Sequence, residues 1–395
     1  MNQKAEKQLF TKPLFLIFAL FAVIGLVCWF LQLTKGLQLT NLNNYNTWGL
    51  YIVGFVIFTG MAAGSLIFAS SACLIKAMEE FKPFARVASF VGAIGSVVAA
   101  GLFVIVDIGN PGRVWHFVTS ANISSPMFWD FLILFAYIII GIFFTRQLVM
   151  VHEGGEEKSL KTISIIAFIA GLLVMATSFI FALQVARPLW NNPVQPISFL
   201  AAAIVIAFSL LTIILANLNK NSYIKINNEQ LSKIGRIAAA FLAIELFVVL
   251  GELAIGMYAG AGENSEIVRW LISGEGAPFF WVEIIAVILG IALLLNKNPK
   301  ILVTGAVVAI LGVFMIKYNL LQAQLLNPLI TYAGPPGYSG GEGVYLPSLI
   351  ELGVSLGIVS IGGLLVMIGL DKLNLGAKPR PKTGKVELKG NTHPA

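Results

Sequence analysis

Residues 47–76 read TWGLYIVGFVIFTGMAAGSLIFASSACLIK, and no charged residue occurs in this stretch before Lys76. A run of about 20 apolar residues is enough to cross a bilayer as a helix, so this stretch predicts a membrane helix with length to spare for tilting. The rest of the chain has the same character. Apolar residues make up 57% of the 395 positions and charged residues 11%, whereas soluble globular chains average roughly 45–50% and about 25%. The sequence therefore predicts an all-α, polytopic membrane protein.

Ten apolar runs predict about ten transmembrane helices. The first run follows three lysines, Lys4, Lys7 and Lys12, but it is too long for the apolar core of a signal peptide, and no A-x-A-like site follows it. It is therefore interpreted as a retained helix. The runs are 13–33, 47–76, 85–108, 128–145, 162–184, 197–217, 236–258, 277–296, 301–323 and 346–370.

The distribution of Lys and Arg predicts the orientation of these helices. The two tails and the connections on one side of the membrane hold 21 of the 26 basic residues, the opposite connections hold 4, and Lys317 lies inside the ninth run. We therefore expect a multi-pass protein of the bacterial cytoplasmic (inner) membrane with both termini in the cytoplasm. A basic surface beside anionic lipid accounts for the net charge of +7, so the charge does not call for nucleic acid.

The connections richest in motifs all fall on the outer side in this topology. The stretch VDIGNPGRVWHFVTSANISSPMFWD (106–130) is one of them, and 185–196, 259–276 and 324–345 are the others. The cytoplasmic connections are short and charged. We therefore expect the chemistry of this protein to face outward.

Two outer connections resemble each other, which predicts an internal repeat. HFVTSANISSPMFWD (116–130) aligns with RWLISGEGAPFFWVE (269–283) when one gap is allowed, so that Trp129 matches Trp281. Both connections have the same orientation, as expected of parallel repeats. We expect two four-helix bundles, of helices 2–5 and 6–9, with two flanking helices. The expected divisions are 1–46 (cytoplasmic tail, first helix and outer loop), 47–184 (first bundle, with the ligand site), 185–323 (second bundle), 324–370 (outer loop and last helix) and 371–395 (a disordered cytoplasmic tail).

Metal-ligating residues are sparse. Cys28 and Cys73 are isolated, so the chain holds no ligand set for an iron–sulfur cluster. The three histidines are His116 outside, His152 in a cytoplasmic connection and His393 in the tail. Two of them cannot face one haem within a bundle. The sequence therefore predicts no metal site, haem or iron–sulfur cluster in this chain.

The stretch 106–130 contains the first group of candidate site residues. An interfacial loop explains part of it, with Trp115 and Trp129 at the lipid–water boundary and Arg113 paired with Asp107. A functional interpretation needs a carboxylate, a titratable imidazole such as His116, and aromatic rings at the membrane surface. That combination suits a lipid-tailed ligand whose head group takes up and releases protons, and a quinone is such a ligand.

Charged residues inside the apolar runs form the second group. Each costs about 2.5–3.5 kcal/mol at a helix centre on insertion scales, so each is a functional candidate. One interpretation is that Lys317 neutralises a glutamate and holds the second bundle together. The alternative is a proton path or a second ligand pocket. The candidates are Glu245, Glu252, Glu283, Lys317 and Glu351.

Five motifs together resemble the NrfD/polysulfide reductase membrane-subunit family. They are WGLYIVGFVIFTGMAAG (48–64), VDIGNPGRVWHF (106–117), SPMFW (125–129), ARPLWNNPVQPISFL (186–200) and YLPSLIEL (345–352). The resemblance runs from about 45 to 370. Ten helices point to the longer branch, which includes the hydrogenase-2 and alternative complex III membrane subunits. Two departures stand out: the family's acidic-Leu-Gly-Arg/Lys-Pro string is DIGNP (107–111) here, with the arginine at Arg113, and a family arginine near the end of helix nine is Lys317.

The resemblance implies that the chain binds a quinone (menaquinone or ubiquinone) near the outer surface and lacks haem. It also implies that a ferredoxin-like iron–sulfur subunit docks there, with a further catalytic or cytochrome subunit behind it. The expected function is the quinone-reactive membrane subunit of a respiratory oxidoreductase, inactive without its partners. His116 and Asp107 would exchange protons with the quinone. Tyr51, Arg113, Trp115, Trp129 and Asp130 would line the site.

Two other functions fit parts of the sequence. A proton-coupled secondary transporter would use Glu245, Glu252 and Glu283 as a relay, and it predicts helices broken near the midplane. A membrane anchor without a ligand of its own would need only the outer surface.

Overall fold

The computed structural model describes residues 11–42, 46–184, 187, 189–258, 260, 262–325, 345–373, 375 and 376. All regular structure in this part of the chain is helical, and ten of its segments follow the ten apolar runs. Most of the outer connection 324–345 and the tail from 377 onward, with His393, lie outside the described residues. The ten helices are α1 (Lys12–Lys35), α2 (Leu50–Leu74), α3 (Lys76–Asp107), α4 (Pro126–His152), α5 (Leu160–Ala176), α6 (Gln195–Lys220), α7 (Asn228–Tyr258), α8 (Ala277–Leu294), α9 (Pro299–Leu325) and α10 (Leu349–Lys372).

Nine of these helices, within the described residues, are long and apolar enough to cross a membrane, and α5 is shorter. The sequence predicts a span over 162–184 in its place. Instead α5 ends at Ala176, and a separate turn, Phe179–Ala182, follows. Thr177 Oγ1 donates to the carbonyl of Val174 at 2.7 Å and Ser178 Oγ to that of Met175 at 2.6 Å. These local bonds compete with the α-helical pattern.

The nine long apolar helices of the described residues confirm the prediction of a polytopic helical membrane protein.

Helix α3 is composite, and it begins well before the predicted residue 85. It starts as a 3₁₀ helix, Lys76–Phe84, and includes a π-helical stretch, Val91–Ser96, before its final segment Val97–Asp107. Pro83 lies within the 3₁₀ part, where its missing N–H is tolerated more easily than inside an α-helix. Such π-helical turns within α-helices are rare and occur frequently at functional sites.

Helix α2 occupies the centre of the molecule. It packs on α3 and α5 on one side and on α6 on the other, while α4 packs on α5. Helices α6, α7, α8 and α9 pack on one another, and α1 packs along α10. The α1–α10 pair is very close, since a Cβ placed on Gly25 would lie 2.4 Å from the Cα of Gly357. Small residues allow this approach between membrane helices.

The described C-terminal residues pack against the bundle instead of leaving it at residue 371. Arg86 Nη2 donates to the carbonyl of Gly376 at 2.8 Å, and the Tyr223 hydroxyl donates to that of Leu370 at 2.7 Å. Leu375 is fully buried. Leu375 and Gly376 therefore belong to the packed part of the molecule.

Candidate functional site

A cavity of about 330 Å³ lies among α2, α3, α4 and α5, and α6 and α9 complete its wall. We refer to it as the larger cavity. Its volume is at the lower end of the range of ligand pockets, about 300–1,000 Å³. Most of the lining is aliphatic or aromatic, with few polar groups. Two carboxylates predicted from the sequence, Asp107 and Asp130, are among those few.

Three buried polar atoms of the larger cavity lack a hydrogen-bond partner among the described residues. They are Oγ1 of Thr59 on α2, Oδ1 of Asp107 at the end of α3, and Oδ1 of Asp130 near the start of α4. An unsatisfied buried polar group typically costs about 1–3 kcal/mol. All three belong to residues that line one cavity.

The connection after α3 closes one end of the larger cavity. Gly109 adopts φ +72°, and Asn110 accepts a hydrogen bond from the backbone N–H of Gly112 at 3.1 Å, which starts the 3₁₀ turn Pro111–Trp115. Val114 and Phe117, three residues apart, face the cavity. The side chains between and beside them face away.

His116, Arg113 and Trp115 therefore do not line the larger cavity. All three are exposed, Trp115 by 71%. The structure brings together Asp107 and Asp130 but holds His116 on the outer surface of the loop.

Trp129 also points away from the cavity, and its environment recurs in the second bundle. Its indole N–H donates to the carbonyl of Ile123 at 2.9 Å, and that of Trp281 donates to Ile272 at 3.2 Å. Each ring lies edge-on to the preceding Phe128 or Phe280. The two tryptophans have similar contacts, but their acceptors lie six and nine residues before them.

Tyr51 on α2 does not line the larger cavity. It is fully buried, and its hydroxyl donates to the Oε1 of Gln32 on α1 at 2.7 Å. Gln32 in turn donates to the carbonyl of Val106 at 3.3 Å. Tyr51 thus holds the end of α3 that carries Asp107, but it does not contact the cavity.

The second bundle contains a buried ion pair. The Lys317 Nζ lies 3.3 Å from a carboxylate oxygen of Glu245, and both side chains are almost fully buried. Ser198 bridges them, because its Oγ accepts from Lys317 at 2.8 Å and donates to Glu245 at 2.8 Å. The ammonium also lies 4.4 Å from the ring centroid of Phe199, within cation–π range. Lys317 and Phe199 both form part of the wall of the larger cavity.

Glu252 and Glu283 line a second cavity of about 50 Å³, which we refer to as the smaller cavity. Glu252 accepts from Asn192 at 3.1 Å and from Gln195 at 2.7 Å, and Glu283 accepts from Asn319 at 2.6 Å. Ser198 lines this cavity too. The Lys317–Ser198 hydrogen bond therefore joins the walls of the two cavities.

Glu351 has a different role in the structure. It completes a capping box with Ser348 at the start of α10, and its other contacts are the backbone N–H of Asn41 at 2.9 Å and the Tyr345 hydroxyl. Burial and this carboxylate raise the pKa of Tyr345. Glu351 thus anchors the end of α10 and does not line either cavity.

Several residues of the site are not apparent from charge or motif chemistry alone. Asn192, Gln195, Ser198 and Phe199 all belong to the motif at 186–200, and each contacts Glu252, Glu245 or Lys317. Their clustering in one motif is the signal that could have identified them. Thr59 gives no such signal, because a single Thr in an apolar run is ordinary. Among the described residues no group of three or more His, Cys, Asp or Glu side chains could hold a metal ion.

The residues that match known proteins include those that line both cavities. A family model described as "Polysulphide reductase, NrfD" matches residues 38–328, which span α2 to α9. The sequence is 29% identical to a "Putative dimethyl sulfoxide reductase membrane subunit" of Halobacterium salinarum, over 91% of this protein and 90% of that one. It is 23% identical to a selenate reductase subunit of Mesobacillus selenatarsenatis, over 90% and 92%. It is 26% identical to a polysulfide reductase chain of Wolinella succinogenes, over 72% and 96%.

Proposed function

Because the chain belongs to the polysulphide reductase, NrfD family, we propose that it is the quinone-reactive membrane subunit of a respiratory oxidoreductase complex. Three relatives are named as parts of reductases, which supports the coarser assignment to the membrane subunit of an oxidoreductase. The single observation that carries the quinone proposal is the larger cavity, where Asp107 and Asp130 present unpartnered carboxylate oxygens among apolar side chains.

The chemistry of the cavity fits a quinone head group. The flat apolar ring suits the apolar lining, and its oxygens suit Thr59, Asp107 and Asp130, because a carboxylate accepts from a quinol hydroxyl and a carboxylic acid donates to a quinone carbonyl. The proposal covers both menaquinone and ubiquinone. A bound quinol supplies electrons and protons when it is oxidised. Asp107 and Asp130 would hold or take up those protons at Oδ1.

The exposed loop residues take roles outside the cavity in this proposal. His116, Arg113 and Trp115 belong to the exposed surface on which a partner docks. Trp129 fixes the loop through its bond to Ile123. Electrons pass to a ferredoxin-like iron–sulfur subunit on the outer side, and from there to or from a catalytic or cytochrome subunit. This arrangement requires both termini to lie in the cytoplasm.

A proton path into the second bundle is part of the proposal. Lys317 forms part of the wall of the larger cavity, and its partner Ser198 lines the smaller one. Glu245, Glu252 and Glu283 lie beyond them. Because Lys317 can balance one carboxylate, the others need an accompanying proton or another cation to remain in the membrane interior. Glu351, which is held by its capping contacts, is left out of this path.

The transporter alternative draws on one observation, the π-helical stretch Val91–Ser96 in α3. It predicts a solute bound near the midplane and no need for a quinone. A membrane anchor predicts neither a bound solute nor a bound quinone. Both alternatives leave the unpartnered oxygens of Asp107 and Asp130 without a ligand.

Isolation of the intact complex from membranes tests the proposal. We expect an iron–sulfur subunit and a redox subunit to co-purify, with quinone in the lipid extract. Purification of the protein alone, with no redox subunit and no bound quinone under mild detergents, would contradict it.

A further inference from the structure

The larger cavity opens sideways between α3 and α4. Gly101 on α3 and Phe135 on α4 both line the cavity, and both are exposed on the outside of the molecule, Phe135 by 55%. A Cβ placed on Gly101 would meet nothing within 4 Å. The cavity is therefore continuous with the surroundings of the helices at this point.

The opening results from the shape of α3. The inner parts of the two helices are in close contact: Ser89 Oγ lies 2.6 Å from Thr145 Oγ1, and a Cβ on Gly141 would lie 2.5 Å from that of Ala93. Beyond the π-helical stretch Val91–Ser96, the outer segment Val97–Asp107 of α3 still packs on α2 but no longer packs closely on α4. The gap that this leaves beside α4 is the opening.

The opening faces lipid hydrocarbon. Gly101 lies six residues from Asp107 at the end of α3, which at 1.5 Å per residue is about 9 Å along the helix. The large exposed side chains of α4 near Phe135, between residues 132 and 143, are apolar, namely Leu132, Ile139, Ile142 and Phe143. A molecule that passes through the gap therefore comes from the bilayer and not from water.

A row of aromatic rings lines the α4 side of the opening. Phe117 and Phe131 stack at 5.3 Å with an interplanar angle of 13°, and Phe131 and Phe135 at 6.4 Å with 16°. All three line the cavity. Their faces form a continuous apolar strip from the loop to the lipid.

We propose that the gap between Gly101 and Phe135 is a lateral portal for a ligand with a long apolar tail, and that Gly101 is the residue that admits the tail. The head group occupies the larger cavity, and the tail leaves through the portal along the exposed face of α4. This inference rests on the proposed quinone function. It adds the position at which the tail leaves the cavity, and it makes the absence of a side chain at residue 101 a determinant of specificity for the tail.

Photolabelling of the full complex in phospholipid nanodiscs tests the portal by binding instead of by turnover. Two azido-quinone probes share one head group, and one carries a long isoprenoid tail while the other carries a methyl group. We expect Gly101→Trp to lower labelling by the long-tailed probe about tenfold or more, equivalent to about 1.4 kcal/mol, and to leave the methyl probe near wild-type labelling. Gly101→Ala, whose methyl group has room, should label as wild type with both.

Gly251→Trp on α7 is the matched control, because a Cβ there also meets nothing within 4 Å and the residue lines neither cavity. It should leave both probes unaffected. Undiminished long-tail labelling in Gly101→Trp, or an equal loss of both probes, would overturn the portal. Failure of the wild-type complex to bind either probe would instead overturn the quinone function itself.

Discussion

The ammonium of Lys317 lies 3.3 Å from a carboxylate oxygen of Glu245, and the same side chain forms part of the wall of the larger cavity in the other bundle. A buried ion pair is weak evidence of net stabilisation, because desolvation offsets most of the attraction. Its position is more informative. Lys317 connects the proposed ligand site to the acidic residues of the second bundle.

Removal of Lys317 alone should destabilise the protein strongly. Lys317→Met leaves Glu245 as an uncompensated buried charge, for which we expect a loss of roughly 3–5 kcal/mol in the free energy of unfolding. Detergent-induced unfolding of the purified protein measures this loss. The double variant Lys317→Met/Glu245→Gln is the control, and it should recover most of the stability. A single variant as stable as the wild type would disprove the pairing.

Loss of the Tyr51 hydroxyl should weaken quinone binding indirectly. Tyr51→Phe breaks the bond to Gln32, which holds the carbonyl of Val106 beside Asp107, and a buried hydrogen bond contributes about 0.5–1.5 kcal/mol. Quinone titration should show a correspondingly modest loss of affinity. Tyr137→Phe is a matched control, since that hydroxyl donates to the carbonyl of Ala62 at 2.5 Å and the side chain lines neither cavity. Equal affinities of the two variants would argue against the positioning role.

The fold can be predicted largely from the sequence, because each helix needs a long apolar run to cross the bilayer. The exceptions are informative. The π-helical stretch in α3 and the end of α5 at Ala176 depend on local hydrogen bonds that hydropathy does not detect. The family assignment from the motifs is confirmed by the match over residues 38–328.

The candidate site can be predicted only in part. The chemistry of Asp107 and Asp130 identifies them, and both line the larger cavity. The sequence places Tyr51 near the cavity, one helical turn from Phe55, which lines it. The side chain of Tyr51 instead bonds to Gln32 on α1, a tertiary contact that helical periodicity does not indicate. The approach of Lys317 from α9 is a tertiary contact, and no periodicity indicates it.

The orientation of the chain can be tested at two exposed loop positions. The excess of 21 basic residues over 4 predicts that Ser120 lies outside and Glu156 in the cytoplasm. In intact cells a membrane-impermeant maleimide should label Ser120→Cys, and it should label Glu156→Cys only after permeabilisation. Cys28 and Cys73 are replaced in both strains. The reverse pattern would move the proposed site to the cytoplasmic side.

The purified protein should show no b-type haem bands in a reduced-minus-oxidised spectrum. His116 precedes α4 and His152 ends it, so the 27 residues of α4 separate them by about 40 Å at 1.5 Å per residue. They cannot ligate one haem between them. Haem bands that belong to this subunit, rather than to a co-purifying cytochrome, would contradict direct electron transfer from the quinone site to an iron–sulfur partner.

The central claim is that Asp107 and Asp130 handle quinone protons in the larger cavity, and quinone turnover by the assembled Asp107→Asn and Asp130→Asn complexes tests it most directly. Asn keeps the size and much of the hydrogen bonding but cannot take up a proton, so each variant should lose about 10²–10⁴-fold in rate while its subunits still co-purify. Glu283→Gln, near the counterpart of Asp130 in the second bundle, and His116→Gln at the surface should lose less. Wild-type turnover in a fully assembled Asp107→Asn/Asp130→Asn complex would contradict the account.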